Sequence, residues 1–189
     1  MGKVFDAIDD KLAAWIGRQR MFFVGTAPSG DDGHVNVSPK GPMESLRILD
    51  PHTLAYQDII GSGAETIAHL RDNGRIVVML CAFEGPPRIL RLHGRGTVLP
   101  ADAVDFPGME VRPDARRAVI RVDVERIADS CGYVVPVLEY AGTRPQYAAW
   151  AETKVRKGGD RALEEYVAEK NAVSIDGLPA IDAGDLEPA

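Results

Sequence analysis

The chain has 189 residues, 45% of them hydrophobic and 26% charged, with a formal net charge of −6 and a pI of about 5.2. That composition belongs to a soluble globular chain of roughly one domain, with enough apolar content for one sizeable core. The acidic balance provides no general attraction to nucleic-acid phosphates or anionic membrane surfaces, so the expected partners are a small molecule and another protein chain.

The first ten residues carry Asp6, Asp9 and Asp10 and no apolar segment, unlike a secretory signal or an anchor. No apolar run reaches the length of a membrane span, and a cytoplasmic location is the default. Cys81 and Cys131 lie far apart, and His34, His52, His69 and His93 are scattered without ligand spacing, which makes a metal site a poor expectation.

Ile8, Leu12, Trp15 and Ile16 recur at helical spacing and predict an amphipathic helix over Phe5 to Gln19. A hairpin follows, with strands over Met21 to Thr26 and His34 to Ser38 joined by the polar turn Gly30 to Gly33. Leu46 to Leu49 and Thr53 to Gln57 predict two more short strands around the turn signal Asp50-Pro51.

Gly61-Ser62-Gly63-Ala64-Glu65-Thr66 then opens a helix over Gly63 to Asp72 that stops at Asn73-Gly74. Two readings of its start stand side by side. Ser62 and Glu65 have the spacing of a capping box, and the paired glycines at a helix N-terminus suit a phosphate.

Arg75 to Phe83 is an apolar strand whose two faces should both be buried. After Gly85-Pro86-Pro87, the stretch Arg88 to Leu99 alternates. Leu90 and Leu92 point one way, and Ile89, Arg91, His93 and Arg95 point the other, where the polar face meets either solvent or a ligand.

Arg117 to Val124 alternates again, and Ile127 to Val137 extends or bends the same sheet. From residue 145 the spacing becomes helical, with Tyr147, Trp150, Ala151 and Val155 in one stripe and Leu163, Tyr166 and Val167 in a second. The order is helix, short strands with one inserted helix, then two helices, which predicts a small β-barrel with attached helices in a mainly β (α+β) chain. One domain over residues 1–180 includes the helices of 145–171, and 181–189 is read as a flexible tail.

The series Asn36-Val37-Ser38-Pro39-Lys40-Gly41, Gly61 to Thr66, Arg88 to Gly94, Ser130-Cys131-Gly132-Tyr133 and Lys170-Asn171 with Ser174 to Pro179 resembles the pyridoxamine 5'-phosphate oxidase-like family of flavin-binding split barrels. The resemblance implies a six-stranded Greek-key split β-barrel that forms a homodimer with FMN in two clefts between the subunits. Carried over by residue, it implies ring-side positions at Val37, Ser38, Pro39 and Lys40, and phosphate-side positions at Ser62, Gly63 and Thr66. Arg91 and His93 are cofactor or substrate contacts on the same footing. Oxidases proper of this family carry an arginine and a lysine directly after the loop serine, whereas this chain has Gly63-Ala64-Glu65, which argues against pyridoxamine phosphate as the substrate.

Three functions follow as expectations. The first is an FMN-dependent oxidoreductase acting on a small molecule, with Lys40 placing positive charge where the reduced ring becomes negative. A deazaflavin-dependent reductase is the variant. The second is a non-catalytic module holding flavin, haem or a small ligand, because no residue stands out as an acid–base catalyst, and the third is an apo structural dimer whose site has decayed. Tyr147, Trp150 and Tyr166 supply aromatic surface either for a second copy or for docking the helices on their own barrel.

Overall fold

The computed structural model describes residues 2–181. Strand β1 (Val4–Phe5) precedes helix α1 (Asp10–Gly17), and β2 (Phe22–Thr26) forms a hairpin with β3 (Asn36–Lys40). Strands β4 (Leu46–Asp50) and β5 (Thr53–Ile59) form a second hairpin, followed by helix α2 (Glu65–Asn73). Strands β6 (Arg75–Cys81), β7 (Ile89–Leu99) and β8 (Arg116–Ser130) make a meander, and helices α3 (Gln146–Gly158) and α4 (Ala162–Lys170) come last.

All strands belong to one antiparallel sheet ordered β3-β2-β6-β7-β8-β5-β4, with β1 paired to β8. The β4–β5 hairpin falls between β3 and β6 in the chain yet joins the sheet on β8, which is Greek-key connectivity. The sheet curls around one core built from Phe22, Val24, Leu54, Tyr56, Val78, Leu80, Leu90, Leu92, Ile120 and Ile127. Its hydrogen-bonded path ends at β3 on one side and β4 on the other, so the barrel is split. With eight strands it has two more than the resemblance implied, the two-residue β1 among them.

Helix α1 is shorter than its apolar spacing suggested. Asp9 accepts a hydrogen bond from the amide of Leu12 at 2.7 Å and caps it, which leaves Phe5 free to pair with Ile127 in the sheet. Leu12 and Ile16 enter the core from this helix. Strand β3 begins two residues later than expected and carries Pro39, tolerated because β3 is an edge. Strand β6 buries Ile76, Val78 and Leu80 fully, but its other face, with Val77 and Met79, is only half-buried. The sheet ends at Ser130, so the apolar residues from Tyr133 onward lie outside it.

Helices α3 and α4 pack on the barrel through their aromatic residues. The rings of Trp150 and Tyr166 meet edge-on with centroids 5.2 Å apart, and Tyr147 stacks on Trp150 at 5.7 Å. All three are partly buried and pack against the chain's own core, so they dock these helices on their own barrel. Ile181, where the tail was expected to start, is buried and donates its amide to the carbonyl of Asn171; the rest of that expectation, 182–189, lies outside the described residues.

Candidate functional site

The cross-strand register divides the β3 candidates between two faces. Residues directly opposite in antiparallel strands share a face. One row runs Val37, Gly25, Val77, His93, Arg126, and the next runs Pro39, Phe23, Met79, Arg91, Ala128. Val37 and Pro39 therefore lie with Arg91 and His93 on the outer face of the sheet, and Val37 is 66% exposed. Asn36, Ser38 and Lys40 point the other way, toward the barrel interior and helix α2.

On that interior side Lys40 donates through Nζ to Oδ1 of Asp58 at 2.8 Å, while Nε and Nη2 of Arg117 both donate to Oδ2 of the same carboxylate. Asp58 is fully buried and Arg117 nearly so. Burial alone would push the Asp58 carboxyl up, but Arg117 and then Lys40 outweigh it and hold it below the ordinary carboxylate value. Two cations face one carboxylate, so the cluster keeps one net positive charge. It also bridges the split, since Lys40 stands on β3 and Asp58 on β5.

Arg117 extends this cluster to the glycine loop, with Nη1 donating to the carbonyl of Gly63 at 2.8 Å. The loop does not form a capping box. Helix α2 starts at Glu65 with Ala64 at its cap position and no side-chain cap, and Glu65 accepts instead from the amide of Ile175. Ser62 is thus exposed in the loop before the helix, too early to cap it. Among the described residues the amides of Ser62, Gly63 and Ala64 find no acceptor.

Thr66, in the first turn of α2, is buried. Its Oγ1 accepts from Nδ2 of Asn36 at 3.0 Å, and that amide also donates to Thr26. Ser38 donates to Oδ1 of Asn36, and Thr26 shares a hydrogen bond with Nδ1 of His69. Ser38, Thr66, Asn36 and His69 thus form one polar layer between β2, β3 and α2.

On the outer face Arg91 donates to Oγ of Ser130 at 3.0 Å. His93 has a buried Nδ1 without a partner, and burial, then Arg126 and Arg91, lower its pKa, so the ring is neutral near pH 7. A cleft of about 1090 Å³ opens beyond this end of the sheet, walled by Trp15, Arg20, Arg88, Cys131, Leu138 and Tyr140. It touches none of the candidates on β3 or in the glycine loop.

Sequence reasoning missed Asp58 and Arg117, and it singled out Lys170-Asn171 without giving Asn171 a role. A lone charge in the otherwise uncharged Ala55 to Ile60 run was the available signal for Asp58, because such a group is retained in a buried strand only with partners.

Residues 8–131 match the family model described as pyridoxamine 5'-phosphate oxidase. A curated relative from Aspergillus flavus, the pyridoxamine 5'-phosphate oxidase family protein ustO, is 38% identical over 94% of this chain and 77% of its own length. This chain belongs to the pyridoxamine 5'-phosphate oxidase family. Among solved structures, a FAD-binding protein from Mesorhizobium loti aligns with a TM-score of 0.44 at 14% identity, over 68% of this chain and 96% of that one. A protein related to general stress protein 26, of the pyridoxinephosphate oxidase family, from Clostridium acetobutylicum aligns at 0.47 and 13% identity, over 64% and 86%.

Proposed function

We propose that this member of the family is a flavin-dependent oxidoreductase that uses FMN, works as a homodimer, and acts on a small molecule other than pyridoxamine phosphate. The observation that carries this reading is the loop Gly61 to Ala64, whose free amides stand at the positive end of α2 beside a buried cluster with one net positive charge. Among the described residues nothing lies within 4 Å of where a side chain on Gly61 would begin, whereas at Gly63 the Glu65 carboxylate rests against that position, so the loop is open on its Gly61 side and a phosphate at Gly63 requires Glu65 to turn away. These features fit a flavin phosphate.

When bound, a flavin supplies hydride or electron transfer, and the protein supplies orientation and a shielded environment. Ser62, Gly63 and the first turn at Thr66 would hold the phosphate. Val37 and Pro39 offer an apolar surface for a ring on the outer face, with Arg91 as the neighbouring cation and His93 as a neutral ring. Lys40 is tied to Asp58, so its positive charge acts from behind β3 and is shared with that carboxylate. Glu65 and the absence of any cation within the loop itself disfavour a second phosphate, on the substrate, at the same end.

Fluorescence titration with FMN and with a deazaflavin is the test. Saturable binding of FMN, with weaker binding of the deazaflavin, is expected. Absence of saturable binding to either overturns the reading in favour of a non-catalytic module, and turnover of pyridoxamine phosphate at an enzymatic rate overturns the exclusion.

A further inference from the structure

Two buried side chains from distant parts of the chain grip the glycine loop by its carbonyls. Arg117, on β8, donates to the carbonyl of Gly63, and Asn171, just past α4, donates through Nδ2 to the carbonyl of Gly61 at 2.9 Å. A trans peptide holds its C=O and the following N–H on opposite sides. With these two carbonyls drawn onto their anchors, the amides of Ser62 and Ala64 are turned away from them, and neither finds an acceptor among the described residues.

Asn171 is fully buried, and its Oδ1, on the same amide group that holds Gly61, has no donor among the described residues. A buried orphan acceptor of this kind is costly unless something donates to it. Free amides beside the buried cations call for an anion, a place where the Glu65 carboxylate now rests against Gly63, and the orphan oxygen calls for a hydroxyl. A phosphorylated polyol carries both.

We propose that Arg117 and Asn171 are positioning residues that pre-form this loop as a receptor for a polyol phosphate, with Arg117 also bringing the positive charge that the loop lacks. This rests on the reading of the loop as the phosphate site. The Asp58 carboxylate fixes the Arg117 guanidinium from two nitrogens, leaving Nη1 directed at Gly63. Lysine at position 117 would keep the charge and lose the fork, since an ammonium cannot serve the carboxylate in two-pronged fashion and reach the loop in the same geometry.

The test compares FMN with riboflavin, which shares the ring and polyol but lacks the phosphate, on the full chain and on two variants. In Arg117→Lys, affinity for FMN should fall about tenfold, with riboflavin affinity within about twofold of the starting value. In Asn171→Ala, which removes both the Gly61 anchor and the orphan oxygen, both ligands should weaken. If Arg117→Lys does not fold, the Asn171→Ala measurements decide. Unchanged ligand affinities in a folded variant overturn the assignment for that residue. A starting protein that binds FMN no better than riboflavin overturns the phosphate reading itself, and this proposal with it.

Discussion

Asp58, the buried His69 and the partly buried His93 show how single residues in this chain tie charge to stability. Asp58 persists in a buried strand because Arg117 and Lys40 satisfy both of its oxygens; removing Asp58 would leave Arg117 a buried cation without its carboxylate, whereas removing one cation would leave one carboxylate oxygen without its partner. His69 is fully buried, with Nδ1 shared with Thr26 and no partner on Nε2, and burial lowers its pKa from the ordinary 6.5. His93 is lowered for the same leading reason. Above pH of about 6.5 both rings are neutral in the folded and unfolded chains, so neither contributes a pH dependence. As the pH falls through that value, the unfolded chain takes up protons that the folded chain refuses, and stability declines by at most about 1.4 kcal/mol per pH unit for each ring. Asp58, Asp72 and Asp176 have pKa values lowered from 3.8, so their contributions persist until the pH falls below that range and do not confuse the window. Urea midpoints should therefore drop between pH 7.5 and 5.5, and His69→Gln should flatten the decline. A midpoint that stays level or rises on acidification refutes the neutral folded state of these rings.

At the scale of elements, what the sequence made legible was whatever alternation or helical spacing records. Leu90 and Leu92 are fully buried, and Arg91 and His93 face the other way, as their two-residue period required. The stop of α2 at Gly74, in the left-handed conformation, was equally plain from Asn73-Gly74. Periodicity failed where two elements competed for one segment. Phe5 fits a helical stripe, yet the Asp9 cap starts α1 after it and the edge of β8 takes it as a strand. Ser62 and Glu65 have capping-box spacing, yet the loop is held from outside by Arg117 and Asn171, contacts 54 and 110 residues away that no local pattern can encode. This contrast is testable by stability alone. Asp9→Ala should cost about 1 kcal/mol because a real cap is lost. Ser62→Ala should change stability by no more than about 0.5 kcal/mol, because an exposed loop serine that caps nothing is an ordinary surface position. Equal losses in a denaturant comparison of the two would restore the capping box.

For the whole molecule the question is what covers the outer face of the sheet. The aromatic residues of α3 and α4 are spent on their own barrel, and the exposed apolar surface lies elsewhere, at Val35 and Val37 on the β3 side and along the segment after Cys131. In that segment Tyr133 is 82% exposed, Val134 93% and Val137 83%, while the backbone is tethered by the amide of Leu138 on the carbonyl of Phe83. Large apolar side chains held on an ordered segment mark an interaction surface when they cluster in this way. Within the homodimer proposed above, this segment is the natural contributor of apolar contact, and its loss gives a prediction that folding cannot confound, since these side chains support nothing in their own subunit. Replacing Val134 and Val137 by aspartate removes four buried valines from a symmetric dimer and adds four charges. Dissociation should weaken the assembly by at least about 100-fold at unchanged monomer stability, because burying each valine contributes about 1.5 kcal/mol or more. Sedimentation equilibrium at low micromolar concentration should show a dimer for the natural sequence and a monomer for the double variant. A natural sequence that sediments as a monomer removes the dimer, and a double variant that remains dimeric places the interface on another face.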